Sequence, residues 1–182
     1  MKKILQQKEK VLRKIAKEVE GADVKTPTIK KIIKEMSAAL KSQDDGVALA
    51  APQIGYSLRI FVVSGKIFSK EFSKNPPLSP VNTPTPPREK IKDLVFINPK
   101  ISKLSREKSW VPEGCLSVRW LYGKTLRSKK ATIVAYDEHG KKFTRGASGL
   151  LAQIFQHETD HLEGILFIDH AKNIKEELPP NK

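Results

Sequence analysis

The sequence has very little cysteine: Cys115 is the only one among 182 residues. A single thiol excludes an internal disulfide, so the fold must be held together by its core. Long apolar runs are also missing, since no stretch approaches the roughly 20 apolar residues that a transmembrane helix needs. The first residues continue into polar Gln6, Gln7 and Lys8 instead of a signal-peptide core. We therefore expect a soluble, cytoplasmic protein with no membrane partner.

Acidic residues are scarce as well. The 20 Asp and Glu face 34 Lys and Arg, which gives a formal net charge of +14. Such a charge attracts polyanions such as RNA or an anionic membrane surface. No aromatic-basic motif for reading RNA accompanies it, and we expect no DNA partner. The charge fits either a solvated lysine-rich surface or a polyanionic working environment.

Length and composition predict one domain over residues 1–182, because 38% apolar residues in a chain of this size can bury an ordinary core. One segment does not fit a packed core. Residues 64–90 carry six prolines that break every periodic pattern, and we expect a long, exposed, partly extended loop there. The prolines are Pro76, Pro77, Pro80, Pro84, Pro86 and Pro87.

Apolar periodicity predicts the regular elements. Residues 4–19 have helical spacing, and a clearer helix opens at Thr26-Pro27, where threonine can cap and proline suits the first turn. Alternating and β-branched runs predict strands at 59–63, 93–98, 101–104 and 118–122. Residues 132–136 and 141–144 should form a hairpin, with His139 in its turn.

The main chemical signal is His157-Glu158-x-x-His161. Apolar residues between 150 and 155 lead into it with helical period, Ser148 can cap the helix, and Gly164 can end it. Four-residue spacing places both imidazoles on one helix face, where they can bind one metal ion. The glutamate between them could accept a proton from water, which is the arrangement of a hydrolase. Paired histidines also occur on ordinary amphipathic helices.

A catalytic metal needs a third protein ligand. Cys115, in Pro112-Glu113-Gly114-Cys115-Leu116-Ser117, could be a small buried residue, a nucleophile or that ligand. Because the two histidines lack a third donor and thiolate binds iron(II) and zinc strongly, we favour ligation. A run of small residues, 46–55, could likewise be a ligand-binding strand or a packed crossing of elements.

Residues 46–55, 113–117 and 156–164 together resemble the three signature motifs of the peptide deformylases. The resemblance implies an α+β fold, with small antiparallel sheets around a central helix that carries both histidines. It also implies that part of residues 4–19 is an extended lead-in instead of a helix. It implies an enzyme that removes the formyl group from N-terminal N-formylmethionine of newly made polypeptides and releases formate. The implied partners are N-formylmethionyl nascent peptides, and we expect a monomer.

Residue roles follow from the same resemblance. Cys115, His157 and His161 resemble the metal ligands, and Glu158 resembles the general acid/base. Gln53 and Leu116 resemble the groups that receive the formyl oxygen. The resemblance favours iron(II), Fe2+, while Zn2+, Ni2+ or Co2+ could substitute. The candidate substrate-binding residues are Gly46, Val47, Ala48, Glu113, Gly114, Leu150 and Ile154.

Two departures from the family pattern and one match to it carry expectations of their own. Ala48 replaces a glycine, which is harmless if its φ is negative. Arg119-Trp120 replaces Pro-Gly; these side chains could floor the substrate channel or pack outside it, and we expect the outside. Asp45 and Arg127 match an acidic and a basic position at the site's rim, and the two could pair.

Two alternatives remain: a metallopeptidase that cleaves internal bonds, and a catalytically silent relative that binds nascent chains or ribosomal RNA. Loss of Glu158 or of a ligand would indicate the silent relative, and neither is lost. The charge predicts that the enzyme is enriched at the ribosome surface. The candidate contact residues are Lys2, Lys3, Lys8, Lys10, Lys14 and Lys17.

Overall fold

Two antiparallel sheets and two α-helices make up most of the regular structure in the computed structural model, which describes residues 2–69 and 91–178. The helices are α1 (Pro27–Lys41) and α2 (Gly149–Leu162). The strands are β1 (Ala48–Ala50), β2 (Ile60–Val63), β3 (Leu94–Leu104), β4 (Lys108–Gly114), β5 (Leu121–Ser128), β6 (Lys130–Tyr136), β7 (Lys142–Ser148) and β8 (Lys172–Glu176). One sheet has the order β1-β2-β3-β6-β7 and the other β4-β5-β8. The α+β prediction with small antiparallel sheets is confirmed.

Helix α1 covers one face of the five-stranded sheet. It begins as predicted: the Thr26 hydroxyl accepts a hydrogen bond from the Ile29 N–H at 3.5 Å, and Pro27 occupies the first turn. Its buried stripe, which includes Ile32 and Met36, packs against β1, β2 and β3. This stripe is core, because its members are almost fully buried.

Helix α2 lies on the opposite face of the same sheet and also contacts β5 of the three-stranded sheet. The Phe61 and Phe96 rings stack at 4.5 Å, and the Phe155 ring meets Phe96 at 5.2 Å. On the other side, the Gln156 amide exchanges two hydrogen bonds of 3.0 Å with the backbone of Ser128. The helix is thus fixed to both sheets just before its first histidine.

The ends of α2 agree with the sequence. Ser148 precedes the helix, although its side chain makes no capping hydrogen bond. Gly164 ends it with φ +73°, and a side chain there would come within 2.8 Å of the Arg13 backbone. Both left-handed backbone and close packing therefore require glycine at this position.

The helix predicted over residues 4–19 is wrong. Only a 3-10 turn, Lys10–Arg13, forms there. Leu12 and Ala16 are buried as the pattern suggested, but Ile15 is exposed, and the backbone hydrogen-bonds elsewhere. The Ala16 N–H donates to the Leu162 carbonyl at 2.9 Å, and the Arg59 N–H donates to the Lys17 carbonyl at 2.7 Å. Tertiary pairing outweighs helical propensity in this segment.

Two strand predictions need correction. The segments 93–98 and 101–104 form one strand, β3, with a register shift around Asn98, whose φ is +49°. The strand predicted at 118–122 begins only at Leu121. The Val118 N–H donates to the Cys115 carbonyl at 3.0 Å, so residues 115–118 form a turn. The hairpin predicted at 132–136 and 141–144 is confirmed, with His139 in its turn.

The predicted loop at 64–90 lies mostly outside the described residues, including all six of its prolines. Its described start differs from the prediction, because Gly65–Phe68 form a 3-10 turn that the Ser64 side chain caps. Within residues 2–69 and 91–178, no helix has the length and apolar character needed to cross a bilayer.

Candidate metal centre and active-site cleft

Cys115, His157 and His161 come together at one point. One ligand atom from each lies within 4.8 Å of the others. The Cys115 sulfur stands 3.2 Å from His161 Nε2, and the two imidazole centroids are 4.9 Å apart. The thiol is delivered by the turn that follows β4, and the imidazoles by one face of α2. This is the ligand set that the sequence predicted, brought within reach of a single ion.

The surroundings of the imidazoles fit a metal ion. His157 Nδ1 lies 3.2 Å from a Glu113 oxygen, so a proton on Nδ1 leaves the Nε2 lone pair free. Burial lowers the pKa of His161 well below its usual value, which keeps this ring neutral. Burial opposes charge on His157 too, but hydrogen bonds with Cys115 and Glu113 raise its pKa well above the usual value. A metal ion would bind in competition with that proton.

Glu113 belongs to a buried ion-pair network. Its two oxygens receive hydrogen bonds from Arg127 Nε at 2.8 Å and Nη2 at 3.0 Å, and Arg127 Nη1 donates to Asp160 at 2.7 Å. Burial favours the neutral carboxyl, yet the hydrogen bonds from His157 and Arg127 hold the pKa of Glu113 well below its usual range. Glu113 therefore stays ionised and orients His157. It borders the cleft, but both oxygens are already engaged.

The pairing considered between Asp45 and Arg127 is wrong. Asp45 instead forms an ion pair with Arg119, whose Nη2 donates to an Asp45 oxygen at 3.1 Å. Arg127 points into the protein, towards Glu113 and Asp160. The Arg127 guanidinium is buried, and a buried positive charge needs negative charge beside it. Glu113 and Asp160 supply two carboxylates there, whereas Asp45 would supply one at the exposed rim.

Glu158 lies beside the cluster without a partner of its own. Its side chain is buried, borders the cleft, and has one oxygen with no hydrogen bond to any described residue. Burial raises the pKa of Glu158 to about 7; the charges of Glu113 and Asp160 add to this rise, and His157 opposes it. A carboxyl of this pKa can both accept and return a proton near neutral pH.

Gln53 is held on the other side of the cluster. It lies on a 3-10 turn, Ala51–Ile54, and its side-chain oxygen accepts a hydrogen bond from the Ala50 N–H at 2.8 Å. This fixes its NH2 group towards Cys115, where it donates to the Ser117 hydroxyl at 3.1 Å and lies 3.6 Å from the Cys115 sulfur. Leu116 borders the same cleft.

The cleft has a volume of about 240 Å³. Cys115, His157 and Glu158 lie on its surface together with apolar side chains such as Leu121. All the candidate substrate-binding residues border it: Gly46, Val47, Ala48, Glu113, Gly114, Leu150 and Ile154. Ala48 lies in β1 without a positive φ, so alanine is unstrained there.

Arg119 and Trp120 differ from expectation, because they line the cleft instead of packing outside it. The Arg119 guanidinium is drawn towards Asp45 and also donates to the Gln43 side-chain oxygen at 2.9 Å. It lies 4.8 Å from the centre of the Trp120 ring. The ion pair therefore keeps both bulky residues at the cleft wall.

The sequence reasoning missed two supporting residues, Ser117 and Asp160. Only their places in the sequence could have indicated a supporting role, because Ser117 stands two residues after Cys115 and Asp160 directly precedes His161.

Known proteins match this chain over most of its length, both in sequence and in structure. The sequence model of the family described as polypeptide deformylase matches residues 1–177. The peptide deformylase of Pseudothermotoga lettingae is 40% identical over 169 residues, which cover 93% of this chain and 82% of the relative. The crystal structure of peptide deformylase from Thermotoga maritima superposes with a TM-score of 0.75 at 31% identity, covering 94% of this chain and 98% of that one.

A third likeness includes a bound peptide. A Met-Ala-Ser-bound class I type b peptide deformylase from Acinetobacter baumannii superposes with a TM-score of 0.76 at 27% identity, over 92% of this chain and 96% of that chain.

Proposed function

Since the chain belongs to the polypeptide deformylase family and removes the N-formyl group from newly made polypeptides, we propose that Cys115, His157 and His161 hold the metal ion on which this activity depends. The convergence of these three ligand atoms within 4.8 Å carries the proposal. Neither alternative, a metallopeptidase or a catalytically silent relative, is favoured.

The donor set supports a borderline to soft divalent cation, and we assign iron(II), with zinc, nickel or cobalt able to substitute. When bound, the ion supplies a Lewis acid that polarises the formyl group and acidifies water. Glu113 keeps His157 Nε2 available, and α2 holds both imidazoles on a rigid element.

Glu158 carries the proton in this mechanism. As a carboxylate, it accepts a proton from the water that attacks the formyl carbon, and the resulting carboxylic acid returns a proton to the departing amine. Its burial, its free oxygen and its raised pKa support both steps. It does not belong to the cluster of three ligands.

Gln53 and Leu116 stabilise the developing charge. The Gln53 NH2 group and the Leu116 backbone N–H donate hydrogen bonds to the formyl oxygen as it becomes negative. Such donors lower the barrier only if they are held in place, and Gln53 is fixed by Ala50 and Ser117.

The apolar end of the cleft accepts the methionine side chain, against Val47, Leu150 and Ile154. Strand β1 is an edge strand, so its outer backbone groups can pair with an extended peptide. The Acinetobacter baumannii relative binds the peptide Met-Ala-Ser, which agrees with a peptide as the occupant of the cleft.

Formate release tests the proposal. Anaerobically purified protein of measured metal content should release formate from formyl-Met-Ala-Ser and leave Met-Ala-Ser intact. Glu158→Gln should keep its metal and lose at least about a hundredfold in kcat, because the proton carrier is gone. Cleavage of the unformylated peptide would instead indicate a metallopeptidase. Substantial turnover by the variant would refute the role of Glu158.

We further assign the enzyme to the cytoplasm, as a monomer that meets its substrate at the ribosome. The N-terminal lysines named above are all exposed, and phosphate-rich RNA attracts them without a base-reading motif. Co-sedimentation with ribosomes should fall steeply from low to moderate salt. A variant with these lysines changed to glutamine should sediment less at low salt. If both proteins sediment equally, the positive charge does not direct the enzyme to ribosomes and is only a solubilising surface.

A further inference from the structure

The segment Ile4-Leu5-Gln6 lies behind the two groups assigned to the formyl oxygen. The Leu5 N–H donates to the Gln53 carbonyl at 2.8 Å. The Gln6 side-chain NH2 donates to the Leu116 carbonyl at 3.1 Å, and its oxygen accepts from the Arg119 N–H at 3.5 Å. One short segment is therefore hydrogen-bonded to both donor-bearing residues, through the Leu5 backbone to Gln53 and through the Gln6 side chain to Leu116.

On the other side, the Gln53 side chain donates to the hydroxyl of Ser117, the residue directly after Leu116, at 3.1 Å. The contacts close a ring. The Leu5 N–H binds the Gln53 carbonyl, the Gln6 side chain binds the Leu116 carbonyl, and the Gln53 side chain binds the Ser117 hydroxyl. Ile4 packs against the core beneath α1, which anchors this side of the ring. A closed ring restrains distances more than its separate bonds do, because no member can shift alone.

We propose that Leu5 and Gln6 are positioning residues that set the spacing between the Gln53 amide and the Leu116 N–H. The proposal rests on the oxygen-binding roles assigned under the proposed function. Neither residue touches the substrate or the metal ligands. Both act from outside the cleft, on the backs of the two segments that border it.

The expected effect is on the rate of the chemical step and not on substrate affinity. Donors that are misplaced bind the flat formyl group almost as well as before, but they stabilise the developing oxyanion less. The methionine pocket is formed by other residues and stays intact. Because the Gln6 side chain is solvent-exposed, water replaces part of each lost bond, so the loss in kcat should be about two- to tenfold.

The experiment compares Gln6→Ala and Gln6→Glu with wild type, using metal-loaded enzyme and formyl-Met-Ala-Ser. Both variants should lose kcat with unchanged KM, metal content and melting temperature. Gln6→Glu keeps the acceptor for the Arg119 N–H but places a carboxylate oxygen against the Leu116 carbonyl, so it should not restore the rate. Gln7→Ala is the matched control, since the Gln7 side chain makes no hydrogen bond to the described residues.

A double-mutant cycle adds a readout that simple tethering would not change. Ser117→Ala cuts the opposite side of the ring, so Gln6→Ala should cost less in kcat on that background than on wild type. Losses that multiply independently would overturn the proposal, as would an unchanged kcat in Gln6→Ala. An inactive wild-type enzyme would instead count against the proposed function, so the two failures are distinguishable.

Discussion

Replacing Glu113 by Gln should destabilise the protein and weaken its metal site together. The substitution keeps the volume but removes the charge that faces Arg127 and His157. A glutamine oxygen can still accept one hydrogen bond from Arg127, but its NH2 group then faces another donor. The side chains of Glu113 and Arg127 are only 3% and 8% exposed, so water cannot replace what is lost.

The magnitude follows from this burial. Breaking a buried ion pair by removing one partner costs about 3–5 kcal/mol. Arg127 retains Asp160, which places the expected loss near the lower end, about 3 kcal/mol. For a chain of this length that corresponds to a fall of about 6–12 °C in melting temperature. Loss of the partner that orients His157 should also weaken metal binding about 10- to 100-fold.

The assay is thermal unfolding of metal-free protein together with chelator competition on the loaded protein. Glu107→Gln serves as the control, because its ion pair with Lys129 is exposed to solvent and should add little to stability. If Glu113→Gln melts no lower than Glu107→Gln, or keeps its metal affinity, the network does not hold His157 as argued.

Two further substitutions test the ligand set and the substrate pocket. Cys115→Ser should lose most of its metal affinity, because an alcohol is a much poorer anionic donor than a thiol. Metal content after dialysis measures the loss. If the variant keeps its metal but loses a covalent intermediate seen by mass spectrometry, Cys115 is a nucleophile and not a ligand. Leu150→Ala should lower kcat/KM for formyl-Met peptides about tenfold through lost apolar contact. Ile165→Ala, similarly exposed and absent from the cleft lining, should leave it unchanged, and equal losses in both would contradict the pocket.

The elements with a strong local signal were predictable from sequence. Helix α1 has a cap, a first-turn proline and a single apolar stripe, so local and tertiary preferences agree. The convergence of Cys115, His157 and His161 was predictable because the two histidines share one helix face and the chain offers only one cysteine. Periodicity failed at residues 4–19, where the same apolar spacing is buried by extended backbone that pairs with Leu162 and Arg59.

The network around the metal ligands was not predictable in the same way. Whether Arg127 meets Asp45 or Glu113 depends on which way β5 presents its side chains, and this is decided by the register of β5 against β4. The placement of Arg119 at the cleft wall likewise depends on a contact with Asp45 across 74 residues of sequence. Such long-range contacts leave no local pattern.

The three proposed metal ligands are divided between the two sheets. Cys115 stands at the end of the three-stranded sheet, whereas His157 and His161 stand on a helix whose apolar side belongs to the five-stranded sheet. An ion held by all three acts as a cross-link, and its binding free energy opposes separation of the halves as well as unfolding of either one. Oxidation of the Cys115 thiol would remove that cross-link from one side. The hydrogen bonds between α2 and β5 would then hold the two sheets together without its support.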